Sequence, residues 1–194
     1  MSGEGKGGLE DVVVSTSDIC FIDGREGRLL YRGFDVNDLV ERSSFEEVVY
    51  LLWHGGLPSR KDLDAHLKSL SATATRKLPP KLVAILRALP RKTTPMEVLR
   101  TGVSALAAFD PDAADNSREA TARKSLRLTA RLPTLVAAWE RIRRGRPLVA
   151  PNPKLSLAAN FLAMMSGKPP TPLEVKTFDV ALILHADHEF NAST

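Results

Sequence analysis

Two stretches of this chain, Thr94-Pro95-Met96-Glu97 and Thr171-Pro172-Leu173-Glu174, spell the same start signal for an α-helix. A threonine side chain in the N-cap position accepts from the amide three residues on, and the glutamate there reaches back to the threonine amide. Proline between them has no amide to leave unpaired, so the first helical position suits it. Two such signals commit the chain to helices, and the rest of the sequence follows the same grammar. Asp35 can cap a short helix through Glu41, and Ser44 with Glu47 forms a capping box for Phe45–His54, closed by Gly55-Gly56. Ser59, after Pro58, caps Arg60 to about Thr75, and Pro79-Pro80 opens Lys81–Leu89. The first threonine box launches Met96–Phe109, and the second launches a final helix running towards His188. Arg118 to about Arg144 is one long helical pattern with Pro133 inside it; apolar periodicity resumes beyond the proline, which predicts a kink, not an end. Pro147–Pro153 reads as a loop, and Leu155–Met165 as a short apolar helix stopped by Gly167 and Pro169-Pro170.

Only one region has another texture. Between Val12 and Gly33, the apolar run Ile19-Cys20-Phe21-Ile22, the turn signals Asp23-Gly24 and Glu26-Gly27, and Arg28-Leu29-Leu30-Tyr31 predict a small β-hairpin. Residues 1–10 read as a flexible lead-in without the apolar core of a signal peptide. The expected fold class is all-α with that hairpin attached. Of the 194 residues 43% are apolar but only 6% aromatic, which favours close-packed helices built on alanine and leucine.

A net charge of +4 fits an anionic small molecule as well as nucleic acid. One cysteine, Cys20, excludes an intramolecular disulfide and points to a reducing compartment; in its apolar run it reads as an inert buried thiol. No run approaches the ~20 apolar residues that span a bilayer, so a cytoplasmic protein without membrane or nucleic-acid partners is expected.

The chemistry gathers at the end of the chain. His185-Ala186-Asp187-His188-Glu189 follows the apolar run Val180-Ala181-Leu182-Ile183-Leu184. Charge placed at the end of a buried helix is costly unless something uses it. If the helix continues, His185, His188 and Glu189 share a face and Asp187 points elsewhere. Three readings stay open: hydrogen-bonded histidines at a helix C-terminus, a metal site, or a site where an imidazole donates to an oxygen gaining negative charge. The order is not that of the zinc-protease signature, whose histidines lie four apart around the glutamate. Elsewhere, Arg141, Arg143, Arg144 and Arg146 read as a solvated cap on the long helix, His54 as a helix end, and His66 as solvent-facing.

Several strings, in this order, resemble the citrate synthase family in its short bacterial and archaeal form, which includes 2-methylcitrate synthases. They are Asp18-Ile19-Cys20-Phe21-Ile22-Asp23-Gly24 with Gly27-Arg28-Leu29-Leu30-Tyr31-Arg32-Gly33; Ser44-Phe45-Glu46-Glu47 through Leu51-Leu52-Trp53-His54-Gly55; Pro95-Met96 with Leu99-Arg100-Thr101; Leu157-Ala158-Ala159-Asn160-Phe161-Leu162; and Leu184-His185-Ala186-Asp187-His188-Glu189-Phe190-Asn191-Ala192-Ser193-Thr194.

The resemblance implies that residues 11–194 form the N-terminal part of a large helical domain, with the small domain and the later catalytic segments on polypeptide beyond this sequence. It implies a homodimer paired through helices 96–109 and 118–144. It also implies a step of the tricarboxylic acid cycle: condensation of acetyl-CoA or propionyl-CoA with oxaloacetate, then thioester hydrolysis, with CoA as product and no permanently bound cofactor or metal. By motif match His188 corresponds to an oxaloacetate-binding histidine and Ser193 to a serine supporting the enol-stabilising histidine. His185 and Asn191 fall in the same motif as substrate-binding residues. The family's Gly-Pro-x-His-Gly-Gly and Gly-x-Gly-His-Arg strings, its base aspartate and its substrate arginines have no counterpart in residues 1–194. No catalytic set is therefore complete here, and this chain alone is expected to be inactive. The alternative is a non-catalytic homologue acting as a dimerisation or regulatory partner. In either case, apolar surface on Phe178–Leu184 is expected to lie open and to drive association beyond a dimer.

Overall fold

The computed structural model describes residues 17–189. The expected flexible lead-in and the positions Asn191 and Ser193 lie outside the described residues.

Strand β1 (Cys20–Asp23) pairs antiparallel with β2 (Arg28–Tyr31), Cys20 facing Tyr31 and Asp23 facing Arg28. Asp23 closes the turn by accepting from the Arg25 and Glu26 amides at 2.9 and 3.1 Å. A third strand, β3 (Phe34–Asp35), extends the expected hairpin, so that β1 and β3 are the edges. It folds back through Arg32 and Gly33, at φ 49° and 84°. That left-handed pair is the backbone a two-residue hairpin turn requires, and Arg32 accepts it without being glycine.

Helices follow: α1 (Val36–Arg42), α2 (Phe45–His54), α3 (Arg60–Ser71), α4 (Thr73–Arg76), α5 (Pro80–Ala88), α6 (Pro95–Ala107), α7 (Arg118–Arg143), α8 (Leu157–Ser166) and α9 (Pro172–Leu184). The capping boxes of Ser44, Thr94 and Thr171 all form, and Gly55 ends α2 at φ 83°. Helix α7 runs unbroken through Pro133 and packs against α3, α4, α5, α6 and α8. One proline costs one backbone bond, which neighbours on several sides outweigh.

The apolar core has three centres. Leu82, Leu86, Val98, Leu106, Leu135 and Trp139 join α5, α6 and α7. Leu70, Ala130 and Leu157 join α3, α7 and α8. Cys20, Tyr31, Leu39, Val48, Leu51 and Ile183 join the sheet to α1, α2 and α9. This last centre places the end of α9 against the hairpin. The exposure expected along Phe178–Leu184 is only partial: Ile183 is fully buried and Phe178 stacks on Phe161 at 4.9 Å, while Leu184 is 43% exposed.

Three expectations are corrected. The helix from Arg60 breaks at Ala72, because Arg76 turns inwards and α4 is a separate turn. The Arg76 guanidinium is buried; its Nε donates to the Leu70 carbonyl at 2.8 Å and one Nη to the Asn152 and Leu155 carbonyls at 3.0 and 2.8 Å. His66 is buried, not solvent-facing, edge-on to the rings of Tyr50 at 5.4 Å and Trp53 at 5.8 Å. Burial, then the neighbouring His54, lowers its pKa. Arg141 is no solvated cap: it is buried and donates to the Pro147 and Met165 carbonyls, tying α7 to the loop before α8 and to α8 itself. Arg143 and Arg144 do remain at the surface side, both paired with Glu140.

A buried carbonyl stripped of its donor costs about 1–3 kcal/mol. Arg76→Met leaves the three carbonyls without the guanidinium, so it should lower unfolding free energy by about 3 kcal/mol or more in urea titrations. A loss below ~1 kcal/mol would show that these bonds are replaced by solvent.

Candidate functional site

The Thr171 box starts α9, but the helix ends at Leu184, short of the expected run to His188. His185 is the C-cap, at φ −113° and ψ 14°. The backbone beyond it finds partners that a continuing helix would not offer. The His185 and Ala186 amides make tightened last-turn bonds to the Leu182 and Ile183 carbonyls, at 3.3 and 3.2 Å. The Asp187 amide donates to the Tyr31 hydroxyl at 3.4 Å, and that hydroxyl lies 3.2 Å from the Asp187 carbonyl, to which it donates. The Asp187 carboxylate accepts from the Glu189 amide at 3.0 Å, with Glu189 in the left-handed region at φ 65°. The shared helical face of His185, His188 and Glu189 therefore does not exist.

The two imidazoles are separated by this change. The Nδ1 of His185 is 2.7 Å from the Ala181 carbonyl, one turn back, so its ring is held along the helix end. His188 lies on the loop, exposed. On either side of it stand Asp187, held by Tyr31, and Glu189, whose Oε1 accepts from the Ile22 amide at 3.2 Å. Beneath the loop, Cys20 is buried as expected, and burial followed by the nearby Asp187 carboxylate pushes its thiol up to about 11. Such a thiol stays protonated and unreactive. Among the described residues no group of three histidine, cysteine or acidic side chains is placed to hold a metal ion. Nor, among them, is any helix long and apolar enough to cross a membrane.

Sequence reasoning missed a pair of buried carboxylates below α9. Glu46 is 2% exposed, and its Oε1 accepts from the Leu157 amide at 2.7 Å, at the start of α8. Asp179 is 8% exposed, and its Oδ1 accepts from the Phe45 amide at 3.2 Å, at the start of α2. Both face a groove of about 860 Å³ between α8, α9 and the loop at Asn152. Each carboxylate supplements the N-terminus of a helix other than its own, where partial positive charge and free amides favour an acceptor. A solitary Asp179 amid the apolar half of α9 was the available signal.

Burial raises the pKa of both; for Glu46 the Leu157 amide opposes that shift and the Asp179 charge adds to it. A raised carboxyl pKa means the folded state holds its proton more tightly than the unfolded chain does. The resulting stability is present at acid pH and lost as pH climbs through the raised value. The urea midpoint should therefore fall more between about pH 4 and about pH 8 in the wild type than in Glu46→Gln. Parallel profiles would mean that Glu46 ionises in the fold as freely as in water.

Comparison with known proteins gives one consistent likeness. The family model described as citrate synthase, C-terminal domain, matches residues 8–194. The citrate synthase of Haloferax volcanii is 47% identical over 199 residues, covering 100% of this chain and 52% of that protein. The 2-methylcitrate synthase of Mycobacterium tuberculosis is 43% identical, covering 97% of this chain and 47% of that protein. Among solved structures, the citrate synthase of Pyrobaculum aerophilum superposes with a TM-score of 0.88 at 38% identity, over 95% of this chain and 48% of that one. The citrate synthase of Thermoplasma acidophilum, solved as a ternary complex with carboxymethyl coenzyme A and oxaloacetate, gives 0.84 at 28% identity, over 95% and 48%. The chain spans about half the length of the curated relatives it matches.

Proposed function

Because this chain belongs to the citrate synthase family, we propose that it supplies part of the large helical domain of an enzyme condensing a short acyl-CoA with oxaloacetate, and that His188 receives the oxaloacetate carbonyl. The observation that carries this reading is the exposed imidazole of His188 on a loop whose neighbours Asp187 and Glu189 are both tied down. A fixed, open donor is what a carbonyl oxygen gaining charge requires.

In the proposed reaction a base removes a proton from the acyl methyl or methylene carbon. The resulting enol carbon bonds to the ketone carbon of oxaloacetate, whose oxygen becomes an alkoxide and takes a proton. Water then cleaves the thioester, releasing CoA with citrate or 2-methylcitrate. His188 would polarise the ketone before attack and hold the alkoxide after it. His185, with Nδ1 committed to Ala181, is left to orient the loop or offer its other nitrogen to a substrate carboxylate. Asn191 keeps the substrate-binding role, and Ser193 the supporting role, implied by their motif. The carbon base and the enol-stabilising histidine would come from polypeptide beyond these residues. Nothing in this scheme calls for a metal or a bound cofactor.

A homodimer through α6 and α7 belongs to the same proposal. Met96, 71% exposed at the start of α6, opens an apolar groove continued by Leu99, Val136 and Trp139, a surface suited to a second copy. A cytoplasmic setting fits the single buried cysteine. The chain as a non-catalytic partner of a longer relative would use this same groove.

The test is a thiol-release assay with acetyl-CoA and oxaloacetate, run on the 194-residue chain and on a form carrying the remaining family length. The chain alone should be silent and the complete form active. In the complete form His188→Ala should lower kcat about 10²–10³-fold, the usual effect of removing one donor to a developing oxyanion. Robust turnover by the chain alone, or an indifferent His188→Ala, would overturn the assignment.

A further inference from the structure

We infer that the β1–β2 hairpin is the positioning device for His188, gripping its loop through the Tyr31 hydroxyl on one side and the Ile22 amide on the other. The inference rests on the proposed role of His188 for its functional meaning, and on geometry for its substance.

Tyr31 is fully buried, and 156 residues separate it from Asp187. A buried tyrosine hydroxyl needs a partner, and one bond would satisfy it. Here the hydroxyl stands against both backbone groups of one residue, taking the Asp187 amide at 3.4 Å and donating to the Asp187 carbonyl at 3.2 Å. That carbonyl belongs to the peptide unit that leads into His188, so its plane is fixed from beneath.

The second grip is on Glu189. This side chain is exposed and water could solvate it, yet its Oε1 takes the Ile22 amide at 3.2 Å across 167 residues. Ile22 lies on β1, an edge strand, whose outward amides are free for such a role. The Asp187 carboxylate bonds the Glu189 amide at 3.0 Å and links the two anchors into one turn with Glu189 at φ 65°. His188 sits between them, exposed on the loop. Tyr31 and Glu189 are thus positioning residues: neither needs to touch substrate, and both restrict where the imidazole can be.

Two kinds of variant test this. Tyr31→Phe keeps the ring and removes the hydroxyl; Glu189→Ala removes the acceptor at the surface, and Glu189→Gln restores one. Amide exchange in the chain should accelerate about fivefold at residues 187 and 189, whose amides bond the Tyr31 hydroxyl and the Asp187 carboxylate, in Tyr31→Phe and Glu189→Ala, the effect of one ordinary hydrogen bond, and stay near wild type in Glu189→Gln. In the complete form, kcat/KM for oxaloacetate should fall about fivefold in the first two variants with KM for acyl-CoA within about twofold. A merely structural Tyr31 would lower thermal stability and leave kcat/KM for oxaloacetate unmoved. Unchanged exchange at residues 187 and 189 overturns the inference, as does a freed loop with an unaltered kcat/KM for oxaloacetate. If Tyr31→Phe does not fold, the Glu189 pair decides alone. If the wild-type complete form shows no oxaloacetate-dependent turnover, the functional proposal fails, while amide exchange still decides whether the hairpin holds the loop.

Discussion

Tyr31 and Ile183, both fully buried, share the core centre that joins the sheet, α1 and α2 to the end of α9. The site depends on this burial. Ile183 is the last deeply buried residue of its helix, packed in one cluster with Cys20 and Tyr31 of the sheet, and the Tyr31 hydroxyl bonds the backbone of Asp187 just beyond the helix end. Apolar burial of two large side chains is worth a few kcal/mol at about 25 cal/mol per Å². The polar contacts of the loop then refine a position that packing has already chosen. The chain order matters as well. A hairpin formed early in the sequence finds its partner only when residues far along the chain return, so this centre closes the fold as one unit.

Around that centre, charge is buried in places where helix ends can use it. Glu46 caps α8 in addition to Ser156, and Asp179 caps α2 in addition to Ser44. Arg76 does the reverse for carbonyls, binding the end of α3 and the loop before α8. A buried ion without such partners would cost several kcal/mol. The arrangement trades exposed, weak pairs for few and directional ones, and it links α2, α3, α8 and α9 more rigidly than apolar contact alone. Nearer the surface, Arg123 and the half-buried Arg127 fork onto Asp112 and Asp110 and hold the turn before α7, with both carboxyls held below the usual range by the bound guanidinium groups.

Local chemistry was legible in the sequence and distant chemistry was not. Thr94, Thr171 and Ser44 announced their helices because a capping box is complete within four residues. Gly55 announced the end of α2 for the same reason. The errors share a different cause. Arg76, Arg141 and His66 look like surface residues in any short window, and only carbonyls or rings from other elements make their burial tolerable. The end of α9 was misread likewise: periodicity from Val180 onward permits continuation to His188, and the competing partner is a tyrosine on a strand near the start of the chain. The motif naming His188 was visible throughout, whereas the geometry that frees it from the helix was not.

That break separates the surroundings of the two imidazoles. On a continuous helix His185 and His188 would lie one above the other, each ring restricted by the turn beneath it. The break at Leu184 gives His185 the last-turn carbonyl of Ala181 and leaves His188 beyond the helix, with backbone anchors on both sides. A donor that must meet an oxygen at the moment charge develops is most effective when its frame is already paid in folding, because reorganisation during reaction would cancel the gain. A loop is normally the wrong place for such accuracy. Here a strand on one side and a buried phenol on the other give the loop the rigidity of the elements that flank it, so that an exposed imidazole can await a partner without drifting.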